Sequence, residues 1–299
     1  MEDAQPTLRS KKYAVHTNPL TGIIERVVAN AWLSAALIFV VTRAIALIGA
    51  YSGISRLIVA EPERNKGWVA ELGLMWDAAH YAGIASDFYQ YDPNLSGGTN
   101  VAFAPLYPFL LKAVGTVLQW LTFGWDWGHP KWGALIAAGI LISNLAFFFA
   151  LALLIKLLAS RLGNLGATLV ALGLASLPTA FFFSALYTES LFLLLVVGSF
   201  AIARSNWRWK WLCVSLLGML ASLDKFAGVF LVVAMGIEYL SQRSWNIRRI
   251  RFDAAWLLLI PAGIAIYATF LWLHFGSPFV LSDSMQKGWN HEGSFFLVT

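Results

Sequence analysis

Charge is scarce in this chain, and cysteine scarcer. Charged residues make up 12% of the 299 positions against 59% hydrophobic, and Cys213 is the single cysteine. A soluble core of this length does not need so much apolar sequence. The composition therefore excludes an ordinary globular protein and points to an integral membrane protein. One cysteine forms no intrachain disulfide and says nothing about redox compartment. Gly/Ser-rich and Pro-rich linkers are lacking, and so is any clear repeat. That leaves one membrane domain, 31–299, behind a polar N-terminal segment, 1–30. No stretch matches a metal cage, a phosphate-binding P-loop, a dinucleotide-binding turn or a Ser-His-Asp elbow. The net charge of +5 does not argue for nucleic acid, because the basic residues gather between apolar runs, as they do in cytoplasmic loops.

Long apolar runs are what the chain does have. A helix that crosses lipid needs about 20 apolar residues, roughly 17–25. Seven stretches qualify as spans or short spans: 31–51, 133–158, 165–183, 186–203, 209–223, 225–240 and 254–274. The first is too long for a signal-peptide core and lacks a clean small-residue cleavage site, so it reads as a retained helix. Fourteen tryptophans suit helix ends at the headgroup level. Basic residues fall at the N-terminus, at Lys156 and Arg161, at Arg204, Arg208 and Lys210, and at Arg243, Arg248, Arg249 and Arg251. The positive-inside rule places all four groups in the cytoplasm. That holds only if the first outer loop, 52–132, crosses the membrane an even number of times or not at all. The apolar stretch 103–121 is then expected to lie along the outer interface as a Pro-started amphipathic helix.

This topology collects the unexpected polar residues on the outer face, where ionisable groups at a membrane edge are functional candidates. In Trp76-Asp77-Ala78-Ala79-His80-Tyr81 a helix would set Asp77, His80 and Tyr81 on one face at i, i+3 and i+4. Asp77 beside the apolar walls of Trp76 and Tyr81 suits a general base with a raised pKa; an ordinary interfacial helix fits the same letters. Phe103-Ala104-Pro105-Leu106-Tyr107-Pro108 holds two prolines that fix φ and suit a rigid helix start. Tyr187-Thr188-Glu189 interrupts apolar sequence with a charge that a tight outer turn would accommodate, and the Thr also suits a helix cap. Asp224-Lys225 is either a neighbouring ion pair or a place where Lys225 holds a phosphate as a point charge. Gln286-Lys287-Gly288-Trp289 follows a Gly-Pro helix stop and fits a sugar or phosphate contact or plain anchoring. Arg43, inside the first span, must snorkel, face protein or meet a buried anion. Asp77 and His80 offer two ligands to a divalent cation such as Mg or Mn.

The order of these motifs resembles the PIG-V-like mannosyltransferases, relatives of the enzyme that adds the second mannose to GPI anchors. The elements that carry the resemblance run from Arg43 to Trp289. They are Trp76-Asp77-x-x-His80-Tyr81-x-x-Ile84-Ala85, Phe103-x-Pro105-Leu106-Tyr107-Pro108, Tyr187-Thr188-Glu189-Ser190, a turn at Gly228, Phe275-Gly276-x-Pro278 and Gln286-Lys287-x-Trp289. The resemblance implies an all-α polytopic architecture of the GT-C glycosyltransferase superfamily, with about seven transmembrane helices and juxtamembrane helices in the first outer loop. It implies a polyprenyl-phosphate sugar donor and a lipid or glycan acceptor. Asp77 matches the family's catalytic acidic residue, and Tyr187, Thr188 and Glu189 match its second outer motif. Two departures stand out: Lys225 lies where the family often has Arg, and family members usually continue into further C-terminal spans.

The expectation is therefore a multi-pass membrane mannosyltransferase that works by inversion, with Asp77 as base. Trp76, His80, Tyr81, Tyr107, Tyr187, Glu189, Gln286 and Trp289 would bind substrate, and Arg43, Lys225 and Lys287 would meet the donor phosphate. Its place would be a bacterial or archaeal plasma membrane, or the endoplasmic reticulum of a eukaryote, with the site on the outer or lumenal face. Two other classes compete. A lipid or sugar-lipid transporter would carry repeats and midplane polar groups on both halves. A non-catalytic membrane scaffold would have no reason to gather acidic and basic groups on one surface.

Overall fold

The computed structural model describes residues 25–60, 73–92 and 99–289. Most of the N-terminal segment 1–30 and parts of the first outer loop lie outside the described residues, as do the side chains of Lys287 and Trp289. Among the described residues the regular structure is helical throughout, and the protein is an all-α membrane protein.

Nine α-helices lie wholly within the described residues: α1 (Ala31–Ala60), α2 (Asp77–Asp87), α3 (Leu106–Leu121), α4 (Gly133–Ala175), α5 (Glu189–Ala203), α6 (Lys210–Asp224), α7 (Leu231–Ser241), α8 (Leu259–Phe275) and α9 (Val280–Trp289). Three apolar helices reach crossing length: Ala31–Arg56, Gly133–Ala175 and Phe252–Phe275, the last with a 3-10 turn leading into α8. α3, α5 and the 226–241 stretch are shorter apolar helices.

α1 starts where Asn30 Oδ1 accepts the amides of Trp32 (3.0 Å) and Leu33 (3.3 Å), because the first helical amides have no partner of their own. It then runs beyond the expected 31–51, since no proline interrupts the apolar residues that follow. One side of α1 is bare: Leu37, Val40, Val41, Ile45 and Ile48 are exposed. The other side packs Ala35 and Ile38 on Phe147, Leu151 and Ile155 of α4.

The expected spans 133–158 and 165–183 appear as the two limbs of α4, divided at Gly163 (φ 69°, ψ 168°). Only glycine adopts that conformation without a steric cost. The second limb stops at Ala175, and Pro178 opens a 3-10 turn, Pro178–Phe183. The chain is thus irregular from 176 to 188, where the sequence predicts helix up to 183. This break leaves orphan carbonyls in apolar surroundings. Arg43 satisfies them. It donates to the carbonyls of Ala175 (2.9 Å) and Ala180 (2.6 Å) and to Ser184 Oγ (3.1 Å).

α4 packs on α5 and α5 on α6, neighbours in sequence, whereas α6 packs on α8 past the intervening α7. Small residues set the close approaches, as is usual between membrane helices. A Cβ on Gly263 would strike Ser222 Oγ and the Met219 carbonyl (2.7 Å), and Ser222 Oγ donates to the Ile260 carbonyl across the α6–α8 contact (2.8 Å). α3 lies antiparallel along the first turns of α4, with Tyr107 at Ser143 (3.0 Å) and Gly115 against Leu135. α2 sits on α3.

The two ends of the molecule differ in charge. At one end Arg204 pairs with Glu238 (3.2 Å), Lys210 donates to Gln242 (2.8 Å) and Arg243 pairs with Asp253 (3.3 Å). These contacts bring the 204–210 and 242–253 segments side by side. At the other end, the N-terminus of α5 meets the C-terminus of α6.

Candidate active site

α2 begins at Asp77, so Asp77, His80 and Tyr81 do occupy adjacent turns of one helix. Trp76, the residue before it, has φ 50° and ψ −123°. A bulky residue at positive φ is a genuine outlier, and such outliers concentrate at functional sites. The Trp76 ring is exposed and leans on Phe181 and Phe182 (centroids 6.1 and 6.2 Å). The Tyr187 hydroxyl donates to the Met75 carbonyl (2.8 Å), which ties the start of α2 to the irregular 176–188 segment.

Phe103 and Tyr107 make the floor. The His80 ring stacks on Phe103 (4.7 Å), and Tyr81 meets Phe103 and Tyr107 edge-on (5.2 and 5.3 Å). Tyr107 is fully buried, and its hydroxyl lies 3.0 Å from Ser143 Oγ. Ser143 in turn donates to the Tyr187 carbonyl (3.2 Å). The Tyr107 hydroxyl is thus committed to the α4 backbone side of the cluster, and its contribution is support.

The far wall comes from α5 and α6. Glu189 is the first residue of α5, and Lys225 Nζ bonds its Oε1 at 2.8 Å. The Tyr81 hydroxyl faces the Thr188 side chain, with Glu189, Asp224 and Asp77 all within electrostatic reach. Asp77 senses His80, Glu189 and Lys225. Three motifs, at 77–81, 188–189 and 224–225, therefore meet in one polar cluster although the first lies more than a hundred residues from the other two.

Partial burial raises the Asp77 carboxyl above its ordinary value. His80 and Lys225 act against that rise, and Glu189 adds to it. Burial lowers the His80 imidazole, which Asp77 partly offsets, so the neutral ring prevails near pH 7. Tyr81, almost fully enclosed, has its hydroxyl pushed well above the usual phenol range by burial and stays protonated. The cluster therefore offers a tuned carboxylate, a neutral imidazole, a hydroxyl donor and an ammonium on an anion.

Other expected site residues lie elsewhere. The guanidinium of Arg43 is committed to the α4 break, with Phe147 under it at 4.8 Å, and does not join the cluster. Gln286 is exposed on α9, which packs on α8 and on the 100–102 turn. The side chains of Lys287 and Trp289 lie outside the described residues. Among the described residues no three His, Cys, Asp or Glu side chains come together as ligands for an ion. Asp77 and His80 alone do not make a donor set for Mg or Mn, and no step below is routed through a metal.

Sequence reasoning noticed Asp224 only as an ion-pair partner for Lys225 and gave it no place among the site residues. It is buried, with 1% of its surface exposed, and neither carboxylate oxygen has a hydrogen-bond partner. Next to Lys225 it reads as half of an ion pair. The backbone at Lys225 is extended (φ −147°, ψ 129°), which turns successive side chains to opposite sides and sends the ammonium to Glu189 instead.

The class the fold and site define is an all-helical membrane protein that gathers a polar cluster of Asp77, His80, Tyr81, Glu189 and Lys225 from a short helix and two helix termini. Residues 29–271 match the family described as mannosyltransferase (PIG-V), and the chain belongs to that family. No curated protein and no solved structure matches it. The protein is an integral membrane glycosyltransferase, a mannosyltransferase by family, with a sugar donor and an acceptor as its substrates.

Proposed function

We propose that this enzyme takes mannose from a polyprenyl-phosphate donor and passes it, with inversion, to a hydroxyl of a lipid or glycan acceptor at the outer face of the membrane. The observation that carries the reading is Asp77. It is a half-buried carboxylate with a raised pKa, fixed at a strained helix start and facing a cluster that holds one ammonium.

In this reading the acceptor oxygen attacks the anomeric carbon as Asp77 takes its proton. The bond from that carbon to the phosphate oxygen breaks, and the lipid phosphate leaves with the electron pair. A single displacement through an oxocarbenium-like state inverts the centre. Lys225 is the cation nearest to the leaving phosphate, and Lys287 is a second candidate on the C-terminal segment. A lysine meets a phosphate as a point charge, without the bidentate fork of arginine. Trp76, His80, Tyr81 and Glu189 would orient the sugar and the acceptor, while Tyr187 holds the start of α2 in place. The donor's tail would enter from the lipid beside the bare helix faces. The outer-face assignment follows from the basic end of the molecule, which the positive-inside rule keeps in the cytoplasm.

The test is transfer by the purified protein in lipid nanodiscs, supplied with a short polyprenyl-phosphate mannose and candidate acceptors. Asp77→Asn is expected to lower kcat about 10²–10⁴-fold, the usual range for a lost general base. Near wild-type turnover by the variant removes Asp77 from that role.

A further inference from the structure

The transfer reaction gives Asp224 no role, yet both its oxygens are buried without a partner. A carboxylate buried without a partner is among the most costly groups a protein can hold, and buried polar atoms are otherwise almost always hydrogen-bonded. Packing does not excuse it. Gly228 approaches the last turn of α6 so closely that a Cβ there would meet the Ala221 carbonyl and the Ser222 amide. Gly263 of α8 closes the same helix from another side. The end of α6 is therefore rigidly held, and the carboxyl group lies within electrostatic reach of Tyr81, Tyr107 and the Glu189–Lys225 pair. Oε2 of Glu189 is likewise buried and without a partner. The Tyr107 hydroxyl is committed to Ser143, so it does not complete Asp224. Unpaired acceptors from Asp224 and Glu189 thus lie within electrostatic reach of each other, and Glu189 is in turn within reach of Asp77.

We infer that Asp224 receives two adjacent hydroxyls of the transferred sugar, which makes the end of α6 a subsite for the vicinal diol of a hexose. A carboxylate presents two oxygens side by side, and neighbouring ring hydroxyls present two donors at a matching spacing. The subsite holds the sugar ring while the cluster at Asp77 and Lys225 handles the two ends of the reacting bond. This rests on the sugar-transfer reading above.

The experiment uses the full chain in nanodiscs and a set of short polyprenyl-phosphate mannose donors, intact or lacking one ring hydroxyl at positions 2, 3 or 4. Wild type is expected to lose about tenfold to a hundredfold in kcat/KM with two adjacent deoxy donors, the range for a hydrogen bond to a charged group. Asp224→Asn is expected to lose a similar factor with the intact donor, mostly in KM, and little more with those same deoxy donors. Its Tm is expected to be unchanged or raised, because a buried unpaired charge has been removed. Equal deoxy penalties in wild type and variant, or a lowered Tm with the intact-donor KM preserved, overturn the subsite. A wild type that transfers no sugar from any donor overturns the transfer reading instead, and the two failures are distinct.

Discussion

At the scale of single residues, the site is a contest over one proton. Asp77 is raised by burial and by Glu189, and lowered by His80 and Lys225. A base must be ionised to act, so the rate falls as pH drops through the Asp77 pKa. Removing the Lys225 cation disfavours the carboxylate, and Lys225→Met is expected to move the acid limb of kcat/KM to higher pH. Glu189→Gln removes a repelling charge and is expected to move the limb to lower pH. A pH–rate series on the two variants checks both directions, and a common direction sinks the assignment. Asp77, His80 and Tyr81 were legible in the sequence because a three-and-four spacing on a helix needs no tertiary knowledge. Glu189 was legible as a charge in apolar sequence. Asp224 was not, because its isolation depends on one extended residue that sends Lys225 the other way.

At the scale of elements, the apolar runs foretold the helices but not how they end. Gly163 looks like any other glycine of a membrane helix, yet it divides α4. The second limb stops at Ala175, short of the expected 183, because Pro178 removes a donor and the 3-10 turn takes over. Arg43 is the partner that makes this break tolerable. The sequence showed only that a charge in α1 needs a reason, and a buried anion was one of the reasons considered. The structure supplies carbonyl oxygens in its place. Arg43→Lys keeps the charge but loses the fork that spans Ala175, Ala180 and Ser184. The expected result is a destabilisation of about 3 kcal/mol, as for hydrogen bonds of charged groups, read as a lowered Tm, with donor KM little changed in the protein that remains folded. A higher donor KM at an unaltered Tm instead returns Arg43 to phosphate binding.

At the scale of the whole molecule, the charge pattern and the fold agree on two unlike ends. The Glu238 carboxylate pairs with Arg204 and also feels Arg161, so loops from three parts of the chain gather their cations together. The Glu189–Lys225 pair marks the other end. In a background with Cys213 replaced, single cysteines at Asn206 and at Asp126 are expected to react with a membrane-impermeant reagent from opposite sides. Labelling of both from one side breaks the proposed topology. The expectation of two unlike ends came from the basic residues alone. The convergence of α2, α5 and α6 was not readable in them, because nothing in a linear pattern tells which helix ends meet.

The clamp between α1 and the break in α4 has a mechanical consequence. α1 has a bare apolar face and holds the 176–188 segment by packing and by the Arg43 guanidinium. That same segment ends in Thr188 and Glu189, and it anchors Met75 through Tyr187. A change in hydrocarbon thickness that tilts α1 therefore pulls on the wall opposite Asp77. Transfer is expected to peak at one acyl-chain length in a nanodisc series and to fall on either side. Arg43→Lys should flatten that peak: with the clamp loosened, the enzyme stops sensing how thick its membrane is.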